Sequence, residues 1–201
     1  MRKFLLGAFA ALMVLAIGAG SAAANRSLRA SVASGELGRI TTVSRALTFT
    51  DEEASFSIVC EVTRVLSLHA SVAKVAGTLA GLVREVRIAN CRGGTVTVLT
   101  ENLPWHVTYV SFTGTLPSIA TVTLELRNVG FLVSAFFGFG RCLYGGSARG
   151  ITGGGTTVTS LTAEERRALP LVTNLGGFEC PAGGIFRGSF TVTPNVRLAL
   201  G

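Results

Sequence analysis

An all-β fold, either a disulfide-tied β-sandwich or a closed β-barrel with one short helix, is the expectation for this chain of 201 residues. Three observations lead there. Short segments rich in Val and Thr recur along the chain, several with apolar and polar residues in alternation. Clusters of Gly, Pro, Asn and Asp separate them at the short spacing of a sandwich or barrel. Four cysteines follow an export signal, which points to two crosslinks rather than free thiols.

The chain opens with Met1-Arg2-Lys3, a short basic start. Phe4 to Gly20 is an apolar run broken only by glycines, and Ser21-Ala22-Ala23-Ala24 supplies small residues at a cleavage site. This reads as a secretory signal peptide over residues 1–24, cut after Ala24. No lipobox cysteine follows it. Residues 25–38, rich in Arg, Ser and Ala, read as a flexible leader. Residues 39–201 read as a single β domain, long enough for one sizeable core. Past the signal, no second charge-free apolar run is long enough to span a membrane, so the expected destination is secreted or cell-surface.

The elements follow in order. Ile40 to Thr50 suits a strand, and Asp51-Glu52-Glu53 a turn. In the next segment Phe56, Ile58, Cys60 and Val62 share one face while Ser57, Glu61 and Thr63 point the other way, the signature of a half-buried strand. Ala70 to Gly81 is ambiguous: Val72, Val75, Ala76 and Leu79 fit a helical face, but Gly77 and Gly81 favour a bend. Leu82 to Cys91 returns to a β pattern. Thr95–Leu99, Trp105–Phe112 and Thr121–Leu126 read as strands, divided by Asn102-Leu103-Pro104, Thr113-Gly114 and Pro117-Ser118. Phe131 to Tyr144 is apolar on both faces and reads as one strand covered on both sides. Gly145 to Gly155 reads as a glycine-rich loop. Thr162-Ala163-Glu164-Glu165 matches a capping box, which predicts a helix of two turns ended by Pro170. Leu171–Leu175, Gly184–Thr193 and Val196–Leu200 complete about ten strands.

Four cysteines allow three pairings. The sequential one, Cys60–Cys91 and Cys142–Cys180, is preferred because each pair brackets a continuous segment and each second cysteine precedes a Gly-Gly turn. On the loop-entropy model each bridge adds about 3.5–4 kcal/mol. A metal site is disfavoured: no pair has Cys-x-x-Cys spacing, and neither histidine is near a cysteine in sequence.

The formal net charge is +7, and Arg2 and Lys3 leave with the signal. The remaining cations are nearly all arginines, placed singly at Arg26, Arg29, Arg39, Arg45, Arg64 and beyond. That is the pattern of a solvated, mildly basic surface, and nucleic acid is not an expected partner.

Catalytic parts are few. The chain has one aspartate, Asp51, and two histidines, His69 and His106, with no Gly-x-Ser-x-Gly elbow. Glu52-Glu53 and Glu164-Glu165 are sequence neighbours in a turn and a helix start, not an acid/base pair. Gly150-Ile151-Thr152-Gly153-Gly154-Gly155 lacks the Gly-Lys-Ser/Thr ending of a phosphate loop. No catalytic residue, metal ligand or cofactor site is assigned. Trp105, the single tryptophan, shares a strand face with Val107 and Tyr109, opposite His106. Core packing is the first reading of Trp105. Trp105, His106 and Tyr109 are the candidate ligand-facing aromatics.

The order Cys60, Ala89-Asn90-Cys91-Arg92-Gly93-Gly94-Thr95, Leu103-Pro104-Trp105-His106-Val107-Thr108, then Phe136-Phe137-Gly138-Phe139-Gly140-Arg141-Cys142-Leu143-Tyr144 and Cys180, resembles a group of exported, uncharacterised β-rich actinobacterial proteins. Its first part is distantly similar to the secreted protein activators of alkane oxidation (PraB-like), through the Cys…Cys…Leu-Pro-Trp order. The resemblance transfers no catalytic residue. The expected role is a non-catalytic exported binding or structural protein at the cell surface or outside the cell, its partner unassigned, with a cell-envelope component and a small apolar ligand as the candidates. The alternatives are a carrier of a small apolar ligand inside a barrel and, third, a secreted hydrolase.

Overall fold

A computed structural model describes residues 27–32, 37–51, 56–114, 119–135, 140–164, 169–177 and 179–200. The signal segment expected over 1–24 lies outside them. The strands are β1 (Ser27–Val32), β2 (Ile40–Asp51), β3 (Ser57–Leu68), β4 (Ser71–Ala73), β5 (Leu79–Arg92), β6 (Thr95–Val98), β7 (Trp105–Thr113), β8 (Thr121–Ala135), β9 (Gly140–Gly154), β10 (Thr157–Glu164), β11 (Leu169–Asn174) and β12 (Gly183–Leu200). A 3₁₀ turn spans Thr100–Asn102.

Eight of these strands, β2, β3, β5, β7, β8, β9, β10 and β12, pair antiparallel with the next in chain order and form a closed barrel. Closure comes from β12 lying on β2, with Phe186 opposite Phe49 and Thr193 opposite Thr41. Of the sandwich and the barrel, the structure is therefore the barrel. The alternation read from the sequence sets which side faces in. On β3, Ile58, Cys60, Val62, Arg64 and Leu66 are buried, while Ser57 and Glu61 are exposed. Outward positions of β12 are Arg187, Ser189, Thr191, Thr193, Asn195 and Arg197. One half of the interior is filled by an aromatic chain. Trp105 meets Phe131 edge-on at 5.2 Å, Phe131 meets Phe186 at 5.0 Å, Phe186 meets Phe49 at 4.8 Å and Phe49 meets Tyr144 at 5.1 Å.

Both disulfides have the preferred pairing. Cys60–Cys91 ties β3 to β5, and Cys142–Cys180 ties β9 to the segment entering β12. The glycines after Cys91 have a steric cause. Gly93 has φ +87°, and a Cβ there would collide with the Ser57 carbonyl, so the turn crosses the start of β3 only without a side chain.

Several expectations give way. Ser27–Val32, read as part of a flexible leader, is β1. Its Leu28 is buried, and it pairs with the end of β12 that runs past β2, from Leu28–Leu200 to Val32–Val196. Among the described residues there is no α-helix, so the short helix is corrected: Thr162, Ala163 and Glu164 continue β10. Pairing of Thr162 with Ser189 on one side and Thr152 on the other outweighs the local capping signal, while residues 165–168 lie outside the described residues. Phe131 to Tyr144 is not one strand but the end of β8 and the start of β9. The glycine-rich 145–154 is not a loop but the remainder of β9. It pairs with β8 along most of its length, and there the glycines admit close neighbours such as Val172 over Gly145.

Candidate functional site

An eight-stranded barrel is just wide enough for its side chains to fill, or to hold one small ligand. Here the filling is incomplete. Among the described residues it leaves cavities that include two of about 60 and 70 Å³. Each is several times the space one water requires, roughly 10–15 Å³. Each is less than half the size of an engineered dry cavity that takes up benzene, roughly 150 Å³.

The first cavity lies in the half that holds Trp105 and Phe131, the second in the half that holds Leu28, Val72 and Leu198. Arg64 and Phe190 line the first and Thr42 the second, so these three residues stand between the two. Their chemistry is unlike the rest of the interior. Arg64 is 5% exposed, and its guanidinium carbon lies 3.8 Å from the centre of the Phe190 ring. Its Nε donates to Thr42 Oγ1 at 3.1 Å, while Nη2 is buried without a hydrogen-bond partner. No carboxylate pairs with it among the described residues; the ion pairs present join Arg87 to Glu85, and Arg127 and Arg149 to Glu125. Burial lowers its pKa to about 10, so it remains a cation at neutral pH. Taking such an ion out of water without a counter-charge costs several kcal/mol.

The side chains around the first cavity are otherwise apolar, apart from the Trp105 indole and Arg149. Trp105 is 2% exposed, and its Nε1 is also buried without a partner. Arg149 is exposed and held on the outside by Glu125, whose Oε1 accepts from its Nε at 2.6 Å. Arg and Trp side chains only donate. Two of the residues lining the cavity, Arg64 and Trp105, thus carry unsatisfied N–H donors, and among the described residues that line it no side chain offers an acceptor apart from the disulfide sulfur of Cys60.

A seam in the wall borders the same cavity. On the side facing β7, β5 pairs only from Leu79 to Val83. Farther along, β6 occupies the next place in the wall but pairs with β8, not with β5. Half-buried Val86 and Ile88 of β5 and Val96 of β6 flank this unpaired stretch, and all three line the cavity.

Of the three candidate aromatics, Trp105 alone lines either cavity. Tyr109 is buried on the same strand face, and burial raises its pKa. His106 points outward and is exposed. His69 is exposed at the rim of the second cavity. Among the described residues neither histidine hydrogen-bonds to a serine, threonine or carboxylate, and no group of three metal-ligating side chains occurs. Arg64 was legible only in part. It continues the inward period after Cys60 and Val62, but a single cation among scattered arginines reads as surface.

Comparison with protein-family models, with curated proteins and with solved structures gives no match to this chain. The fold and the site therefore define a class only: a disulfide-tied, up-and-down antiparallel barrel with a partly empty apolar interior and one internal cation.

Proposed function

We propose that this protein is exported, akin to the β-rich actinobacterial proteins its cysteine and Leu-Pro-Trp pattern resembles, and that its barrel binds a small apolar ligand without transforming it. One observation carries the reading: an unfilled apolar cavity meets the wall where β5 and β6 are not hydrogen-bonded, beside Val86, Ile88 and Val96. The two disulfides fit an oxidising compartment. Among the described residues no helix is long and apolar enough to cross a membrane. The outward residues of the strands, mostly Thr, Ser and Arg as on β12, favour a barrel facing water over one facing lipid, which needs an apolar band outside.

The cavity of about 60 Å³ holds only part of a six-carbon ligand, whose remainder would lie in the seam beside Val86, Ile88 and Val96. At about 0.8 kcal/mol per buried CH₂, such a ligand binds on the order of a millimolar or somewhat tighter. The single indole N–H, that of Trp105, reports occupancy in a ¹H–¹⁵N spectrum. Titration with 1-hexanol, to tens of millimolar, is expected to shift this resonance saturably. Ala163→Leu, which fills the cavity that Ala163 lines, is expected to abolish the shift. A wild-type resonance that does not move with either 1-hexanol or hexanoate removes the ligand-binding reading.

A further inference from the structure

We propose that the ligand of this barrel is a small organic acid, whose carboxylate sits on the Arg64 guanidinium and whose apolar body fills the cavity toward Trp105 and Phe131. The inference rests on the ligand-binding reading and adds to it the chemical class of the headgroup.

Three features on two residues converge on an anion. Arg64 is a cation with its charge inside the barrel and no carboxylate to meet it among the described residues. Its Nη2 is buried, unpartnered, and belongs to a residue lining a cavity rather than to a packed core. The second unsatisfied polar atom on that cavity, Trp105 Nε1, is also a donor. A ligand rich in donors, such as an amine, would meet only donors and a like charge. A neutral hydrocarbon would leave both N–H groups and the charge as they stand. A carboxylate accepts from a guanidinium in two parallel bonds and supplies the missing charge. Arg64 is also held for this task. Thr42 Oγ1 accepts from Nε on one edge and the Phe190 ring lies under the plane, which leaves Nη2 free.

The apolar surroundings set the rest of the specificity. The cavity of about 60 Å³ limits the acid to a short chain, whose end reaches the seam beside Val86, Ile88 and Val96. A polar substituent remote from the carboxylate finds no partner on Leu126, Phe131 or Ile151, and only an acceptor placed at Trp105 Nε1 would be met.

The test compares matched six-carbon ligands on the intact, oxidised protein at pH 7, with the Trp105 indole and Arg64 Nε–H resonances as readouts. Wild type is expected to bind hexanoate at least tenfold tighter than 1-hexanol and to reject hexylamine. Arg64→Met is expected to bring hexanoate to or below the affinity of 1-hexanol while 1-hexanol is retained. Arg64→Lys, which keeps the charge but not the fork, is expected to give an intermediate ratio. Binding of 1-hexanol as tightly as hexanoate to wild type overturns the carboxylate assignment and leaves the ligand-binding reading standing. Binding of neither ligand overturns both. If Arg64→Met does not fold, the wild-type hexanoate-to-hexanol ratio and the Arg64→Lys ratio decide the matter without it.

Discussion

Arg64 stacks its guanidinium 3.8 Å above the Phe190 ring inside a mostly apolar barrel, and among the described residues it is the one buried cation. A stacked aromatic compensates a buried ion only in part, by about 2 kcal/mol or somewhat more when desolvated. The empty barrel therefore carries an electrostatic cost at this point.

The first prediction concerns that cost. Arg64→Met removes an unneutralised ion and keeps most of the volume. The ligand-free variant is expected to unfold at the same or higher urea concentration than wild type, by up to about 1–4 kcal/mol. The pH dependence has a definite sign. Arg64 has its pKa lowered from 12.5 to about 10, so the folded state disfavours the charged form at every pH below 10. The penalty falls as pH rises from 10 toward 12.5, and the gap between variant and wild type is expected to narrow over that interval. A variant less stable than wild type at pH 7 by several kcal/mol would show that the stacking contact alone repays the burial.

Tyr144 behaves in the opposite sense at alkaline pH. Burial first, and the Asp51 carboxylate second, push its phenol up from 10.0 to about 12, and its hydroxyl donates to the Pro181 carbonyl at 3.1 Å. Its folded-state pKa is raised, so its contribution is complete below pH 10 and is lost as pH rises through about 12. A two-unit shift corresponds to about 2–3 kcal/mol. Tyr144→Phe is expected to cost about 1 kcal/mol at pH 8, through the lost hydrogen bond, and to flatten the fall in urea midpoint between pH 10 and 12.

On the outer wall, Glu125 is 3% exposed and accepts from Arg149 at 2.6 Å and Arg127 at 2.9 Å. Burial favours its neutral form, but these hydrogen bonds outweigh it and hold the carboxyl below its usual 4.5. The Arg127 and Arg149 side chains are 44% and 61% exposed, so the cluster contributes on the order of 1 kcal/mol. Glu125→Gln is expected to lose about that much at pH 7. Because the folded pKa is depressed, the advantage of wild type is present above pH 4.5 and disappears as pH falls below it. Acid titrations of the two proteins by circular dichroism check this.

Two glycine substitutions separate close packing from backbone entropy. The Phe49 ring lies against Gly184, where a Cβ would overlap it, whereas nothing stands within 4 Å of a Cβ at Gly154. Gly184→Ala is expected to displace Phe49 and cost about 1–3 kcal/mol. Gly154→Ala is expected to be neutral or stabilising by up to about 1 kcal/mol. Equal urea midpoints for the two variants would contradict the role given to the Phe49–Gly184 contact.

Much of the barrel could be read from residue order because a strand's alternation is local. Phe56 to Val62 showed its inward face within seven letters, and Trp105, Val107 and Tyr109 fell on the buried side as their spacing required. The pairing of Cys60 with Cys91 and of Cys142 with Cys180 followed from the segments they bracket. What could not be read is what depends on a partner far along the chain. Ser27–Val32 is ordered by the end of β12, and Thr162 extends instead of starting a helix because Ser189 and Thr152 flank it. Closure of β12 on β2 distinguishes a barrel from a sandwich, and no local pattern encodes it. The same holds for the site. Residue order puts Arg64 in phase with Val62 and Leu66, but whether that phase ends in water or in a sealed interior is set by strands wrapping around it. Burial is a property of all the surrounding chain at once, and it is burial that turns one arginine among many into an unanswered charge.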